Sequence, residues 1–447
     1  MSTSDGTETA HHHTTKRKKR RTMIVIGSVA TVGLTGALVV PTAMADRTDE
    51  TSPQLVDTNI FDTDLLGDVN VEELTRDDGS LPAMIPVGEE VTVADTISYG
   101  DVLDVLNGHQ IEESDQLQMV YHQADASYVK VHFDDIQLAD DDVVTVSSPD
   151  GEEVHTLDSS LTDDWAMSIT GDTAIVQVHP DTDPADVPSD TDALGVFVDR
   201  VAFGLPEDEV DDVASDMEAH NHIEESICGS DDKAPSVCYE DSFPDAFANT
   251  EPVGRLLLDG TVLCTAFLVG DGNTLLTNNH CFDSSEEAQR AEIWFNYQCV
   301  SCDSSATTTP VKVNGTEVIA TDRDLDYTLF SVNDYEAIEQ FGSLTLATER
   351  ASVGDQIYIP QHPAGRPSEL AVNSIADNGA CVISHDVYDG YVGGTDVAYM
   401  CDTEFGSSGS PVIDANTHEV VALHHFGGCP NSGVSADQIH EEIKDLI

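Results

Sequence analysis

Cysteine is missing from the first 227 residues; all nine lie between Cys228 and Cys429. Base is scarce too, with 18 Lys and Arg against 84 Asp and Glu, a formal net charge of -66. Six of those 18 fall between Lys16 and Arg21, so beyond Ala45 only 12 basic residues face 82 acidic ones. This deficit excludes nucleic acid and anionic membranes as partners. The acid runs through every segment instead of forming one tail. That pattern suggests adaptation to high salt, where screening removes self-repulsion; the alternative is an acidic soluble protein in ordinary solvent. Cys299 and Cys302 form a C-x-x-C, but no second pair at zinc-finger spacing accompanies it. Disulfide use is therefore favoured over zinc, and neither metal nor cofactor is expected. What the chain does have is a 40% apolar content over 447 residues, enough for two or three domains with a sizeable core.

The amino terminus carries the marks of export. Lys16 to Arg21 is basic, Met23 to Val40 is apolar, and Ala43-Met44-Ala45 offers an A-x-A cleavage site. Arg20 and Arg21 also fit a twin-arginine signal; a retained membrane anchor is the alternative. Residues 1–45 are thus read as a signal peptide, with no membrane association after its removal and a secreted product. Confinement of the cysteines to the last 220 residues agrees with a disulfide-bonded extracellular domain.

Residues 46–90 are polar and acidic and read as a linker or propeptide. Across 91–205, period-two runs such as Tyr128 to Phe133, Val143 to Val146, Ala174 to His179 and Gly195 to Val201 alternate with turn signals. This spacing predicts a β-sandwich. Residues 206–227 form an acidic linker suited to processing, in which His220 and His222 read as solvated. Residues 228–447 hold many short strand-like runs and end on a predicted helix from Ser435, with Gln438 completing a capping box.

Three patterns in this last segment carry chemistry. Leu275 to Cys281 contains Asn279-His280-Cys281, Asp324-Leu325-Asp326 follows, and Gly406-Ser407-Ser408-Gly409-Ser410-Pro411 comes last. A serine hydroxyl is too weakly acidic to attack a carbonyl alone and needs a neutral imidazole to take its proton. A carboxylate behind the imidazole fixes its tautomer and stabilises the imidazolium. Ser408 is the expected nucleophile, His280 the general base and then acid, and Asp326 the orienting carboxylate. Gly406 and Gly409 permit a tight turn on which the amides of Gly406 and Ser408 would form an oxyanion hole, at about 3–4 kcal/mol per donor.

Together with Gly260 to Thr265, Ile293 to Gln298 and Leu423 to Gly428, these motifs resemble the trypsin/chymotrypsin superfamily, and within it bacterial lysyl-endopeptidase-like and glutamyl-endopeptidase-like secreted proteases. The resemblance covers most of 228–447. It implies an all-β, chymotrypsin-like double β-barrel with a C-terminal helix, the first two motifs in one barrel and the third in the other. The preceding β-sandwich is similar to the jelly-roll-like pro-domains of such proteases. It implies a serine endopeptidase acting on polypeptides, made as a zymogen, with its own N-terminal pro-domain as partner and a monomeric state.

The resemblance also implies disulfides Cys264–Cys281, Cys228–Cys429 and Cys238–Cys302. Cys381 and Cys401 are paired here by proximity and parity, which leaves Cys299 over or in place of Cys302. Ser407 stands where trypsin-type zymogens carry the aspartate that pairs with a new N-terminus, so that activation switch is absent. Asp402, six residues before Ser408, suggests selection of Lys or Arg at P1; an exposed acid in an acidic chain is the alternative. Asp437 reads as a helix-start residue. His424, His425 and Gly427 fall on the expected pocket wall, where a histidine marks glutamyl-specific relatives. Two competing functions remain: an inactive protease-fold binding protein, and a serine esterase of the α/β-hydrolase class. The latter places its aspartate after the serine, which the order here disfavours.

Overall fold

Alternation of inward and outward side chains builds the amino-terminal half. The computed structural model describes residues 56–57, 88–100, 102, 117–139, 141–157, 160–182, 194–206, 210, 227–376 and 379–447. All belong to one unit, Thr51–Ile447. The proposed signal peptide, most of the 46–90 linker, and His220 and His222 lie outside these residues. The strands of this half are β1 (Val56–Asp57), β2 (Gly88–Ser98), β3 (Gln118–His122), β4 (Tyr128–Gln137), β5 (Val143–Ser147), β6 (Val154–Leu157), β7 (Ser160–Trp165), β8 (Ile169–Thr170), β9 (Thr173–His179) and β10 (Gly195–Gly204). One sheet runs β1-β3-β9-β5-β6 and the other β2-β10-β4-β7, with β8 on β4. Val129, Val131 and Phe133 of β4 join Val144 and Val146 of β5 and Val176 and Val178 of β9 in one apolar core drawn from both sheets. Residues two apart share a face in a strand, so each sheet gives one face to that core.

β11 (Ala234–Pro235) opens the carboxy-terminal half. It is followed by β12 (Val253–Leu258), β13 (Val262–Leu268), β14 (Leu275–Thr277), β15 (Ala291–Phe295), β16 (Val311–Asp322) and β17 (Tyr327–Val332). These six close into a barrel in the order β12-β13-β14-β17-β16-β15. β12 and β15 are buried on both faces. Leu256, Leu258, Ile293 and Phe295 fill the barrel, whereas Leu257 and Trp294 pack with Tyr128 of the amino-terminal sheets. Tyr128 also donates its hydroxyl to Gly260 O at 2.7 Å. The two halves thus share a buried seam.

The remaining strands are β18 (Ile357–Gln361), β19 (Glu369–Ala371), β20 (Ile383–Tyr388), β21 (Asp396–Tyr399), β22 (Pro411–Asp414), β23 (Val420–Phe426) and β24 (Asn431–Ser435). With β11 they form an eight-stranded sheet, β11-β19-β18-β22-β23-β24-β21-β20. Of the two expected barrels one closes as a ring; the other set runs as an open strand path. A C-terminal helix spans Ala436–Ile443 and buries Ile439 and Ile443 against the same core as Leu423 and Val434. The expected capping box does not form: Ser435 Oγ donates to Asp437 Oδ1 at 2.5 Å, and Gln438 Nε2 donates to Thr395 O at 2.7 Å. Gln438 finds a backbone acceptor on the neighbouring sheet and does not fold back on the cap. Among the described residues no helix is long and apolar enough to cross a membrane.

Candidate active site

His280 sits just past β14, which is zipped into the barrel through Leu276↔Phe267 and Leu276↔Leu329. The disulfide Cys264–Cys281 ties the next residue back to β13. Asp326 immediately precedes β17 at φ 45°, a left-handed conformation that residues other than glycine seldom adopt. Asn278 Nδ2 holds it there by donating to Asp326 O at 2.9 Å. The side chain is fully buried and accepts two bonds from His280: the backbone N–H on Oδ1 at 2.9 Å and Nδ1–H on Oδ2 at 2.7 Å. The second bond fixes the tautomer, with the proton on Nδ1 and the basic lone pair on Nε2.

A second histidine reaches the same carboxylate. His425 Nδ1 lies 3.0 Å from Asp326 Oδ2, and its Nε2 lies 2.7 Å from Asp396 Oδ2. Asp396 is fully buried and also accepts from Ser432 Oγ at 2.8 Å and Thr395 Oγ1 at 3.0 Å. Burial alone would discharge His425, but its bonds to Asp326 and Asp396 outweigh burial and lift its pKa to about 9. Burial would likewise raise Asp326; the charge and hydrogen bonds of His280 and His425 win and hold the carboxyl below its ordinary value. The result is an imidazolium between two carboxylates, one of which orients His280. Sequence reasoning named His425 as pocket wall and did not name Asp396, which in a chain with 84 acids has no distinguishing neighbour.

Ser408 is pinned to these groups through its backbone. Its carbonyl accepts Thr265 N–H at 2.8 Å, and Thr265 Oγ1 donates to Gly406 O at 2.9 Å. Thr265 adjoins Cys264, and the bridge from Cys264 leads to the residue after His280. On the other side Gly409 N–H donates to His424 O at 2.9 Å, one residue from His425. The loop needs glycine at 409: φ is 88°, and a Cβ there would stand 2.0 Å from Thr265 O. Ser407, fully buried, donates its hydroxyl to Gln361 Oε1 at 2.6 Å and accepts Glu404 N–H at 3.1 Å.

The other expected site residues are placed differently. Asp402 is buried with both oxygens engaged, Oδ1 by Cys228 N–H at 2.8 Å and Oδ2 by Asp232 N–H at 2.7 Å. His424 is buried with Nδ1 2.8 Å from Tyr399 OH. Burial first, and the charge of His425 second, push its pKa down to about 3, so it is neutral. Gly427 is exposed. Disulfides join Cys228–Cys429, Cys238–Cys302 and Cys264–Cys281. No disulfide joins Cys381 to Cys401. They lie beyond the pair Ile383↔Tyr399 at the base of the β20–β21 hairpin, but the Cys381 thiol is aimed at Asn373 O, 3.3 Å away, inside an apolar core. Cys264, Cys281 and His280 bring potential ligand atoms within 4.8 Å of one another, yet both sulfurs are already bridged.

Residues 264–423, which contain His280, Asp326 and Ser408, match the family model of the trypsin-like peptidase domain. Over those residues the chain is similar to trypsin-like peptidase domains. A secreted RxLR effector protein of Plasmopara viticola is 29% identical over 334 residues, covering 71% of this chain and 79% of its own length. An uncharacterized protein of Sinorhizobium fredii is 31% identical over 188 residues, covering 39% of this chain and 26% of its own length, so the chain spans about a quarter of that relative. Among solved structures a Glu endopeptidase in complex with MPD matches at 19% identity and a TM-score of 0.36, over 49% of this chain and 97% of the other.

Proposed function

We propose that this protein is a secreted serine endopeptidase that hydrolyses peptide bonds through an acyl-enzyme. Ser408 attacks the carbonyl while His280 Nε2 takes its proton; the tetrahedral intermediate collapses as His280 returns that proton to the leaving amine; water then repeats the sequence on the ester. The amides of Gly406 and Ser408 form the oxyanion hole. In support, neither donates to a backbone acceptor among the described residues, whereas Ser407 and Gly409 between and beside them do. The observation that carries the reading is the buried Asp326 carboxylate holding His280 by two bonds at 2.9 and 2.7 Å. An inactive binding scaffold has no use for such a charge, which costs free energy to bury. Secretion rests on the N-terminal signal pattern and accords with the name of the Plasmopara viticola relative. We read the amino-terminal sheets as the protease's own β-sandwich pro-domain, with processing in 206–227.

The two charged-P1 readings fare worse. Selection of Lys or Arg by Asp402 is opposed by the occupation of both its oxygens by amides. Selection of Glu by His424 is opposed by its burial and neutrality, and selection by His425 by the engagement of both its ring nitrogens with Asp326 and Asp396. The protease assignment depends on neither. Incubation with an unfolded protein substrate tests it: the wild type cleaves, and Ser408→Ala, equally folded by circular dichroism, does not. Cleavage by the purified variant at the wild-type rate removes the proposal.

A further inference from the structure

Where the amino-terminal sheets meet the barrel, the charges do not balance. Arg255 on β12 is 2% exposed, and among the described residues its Nε and Nη1 have no hydrogen-bond partner. Its guanidinium carbon lies 4.3 Å from the Trp294 ring centre, 5.0 Å from that of Tyr128 and 5.6 Å from that of Tyr297. Aromatic faces attract a cation but do not neutralise it or accept in-plane N–H bonds. Every neighbouring cation has a carboxylate: Lys130 has Glu292 at 2.6 Å, Lys312 has Glu153 at 2.6 Å, and Arg366 has Glu369 at 2.9 Å. Glu292 is saturated by Lys130, Ser168 N–H, Ser168 Oγ and Trp294 Nε1. Tyr128 stays a neutral phenol, its pKa pushed up by burial. Among the described residues, Lys130, Lys312 and Arg255 against Glu292 and Glu153 therefore leave one positive charge on Arg255.

Arg255 also lines a cavity of about 90 Å³, walled by Leu205 and Val210 from the amino-terminal half, Leu263 from the barrel, and Ala364 and Gly365 from the turn after β18. That volume takes a small ion with a few waters and nothing of peptide size. A buried charge with unmade hydrogen bonds is costly unless a counter-charge accompanies it. We propose that Arg255 and this cavity form a binding site for a small monovalent anion of the halide class, which completes the junction between the amino-terminal sheets and the protease domain. Ala364 N–H donates to Phe405 O at 2.8 Å, so one wall of the site is bonded to the residue before Gly406.

The test is a chloride titration of the full chain at fixed total sodium salt, with gluconate, too large for the cavity, as the replacement anion. The expected result is a saturable rise in Tm with chloride, about 5 °C at a hundredfold excess over Kd, and none in Arg255→Met. Should that variant fail to fold, crystals of the wild type soaked in bromide decide the matter, with an anomalous peak beside the guanidinium expected. A wild-type Tm indifferent to the exchange, an unchanged response in Arg255→Met, or bromide absent from Arg255 overturns the site.

Discussion

Around Asp326 the buried charges alternate in sign, whereas around Trp294 cations outnumber carboxylates. In the first cluster Asp396, His425 and Asp326 share hydrogen bonds of 2.7 and 3.0 Å, and each carboxylate has further donors. In the second, the Trp294 ring lies 3.8 Å from Lys312 Nζ and 4.3 Å from Arg255, and Glu292 is the fully buried anion. The first is assembled within the carboxy-terminal half, from the residue before β17 and from β21, β23 and β24. The second draws Lys130, Glu153 and Ser168 from the amino-terminal sheets. A cluster with the proposed catalytic role must keep its protons in fixed places, which alternating charge does. A junction must keep two bodies in register, and a buried carboxylate that only the other body can saturate does that.

The comparison breaks most visibly at Asp326. Asp326→Asn should lower kcat by about 10⁴-fold with little change in KM, because the amide orients His280 in the wrong tautomer; a loss below tenfold would mean that His280 is held by something else. At the junction, Glu292→Gln leaves the Lys130 ammonium buried without its carboxylate and should cost about 3–5 kcal/mol in urea unfolding while sparing the triad. Its effect on kcat should be small, and that contrast separates the two clusters.

A third change sharpens the role of His425. Its folded-state pKa of about 9 lies above the unfolded value of 6.5, so its contribution to stability is complete below pH 6.5 and is lost as pH rises through 9. Asp396→Asn removes one of the two carboxylates that raise it, so thermal melts should show the alkaline loss moving toward pH 6.5. An unmoved alkaline limit in that variant would leave Asp396 with no hold on His425. The smallest effect concerns the surface charge. Activity in molar salt should exceed activity in dilute buffer severalfold; equal rates would discard the reading of the acidic surface as a salt adaptation.

Much of the proposed catalytic cluster was legible because its parts are local motifs. Asn279-His280-Cys281 and Gly406 to Pro411 carry glycine, disulfide and turn chemistry within a few residues, and the order His, Asp, Ser disfavours the hydrolase arrangement. Alternating runs such as Tyr128 to Phe133 announced strands through their period. The rest depends on contacts across long separations. Arg255, within Val-Gly-Arg-Leu-Leu-Leu, reads as one charge on a strand face; the structure packs it against Trp294 of β15, Tyr297 just past that strand and Tyr128 of β4. Asp402 shows the opposite failure, since its offset from Ser408 suggested a pocket acid while its oxygens serve Cys228 and Asp232. The spacing of Cys381 and Cys401 places them across a hairpin base without turning sulfur toward sulfur.

The most direct test of the central claim is labelling of the purified protein with a serine-directed phosphonate, followed by peptide mapping. The account predicts one adduct, on Ser408, formed by the wild type and lost in both Ser408→Ala and His280→Ala. An adduct on another serine, or equal labelling when His280 is absent, would contradict it.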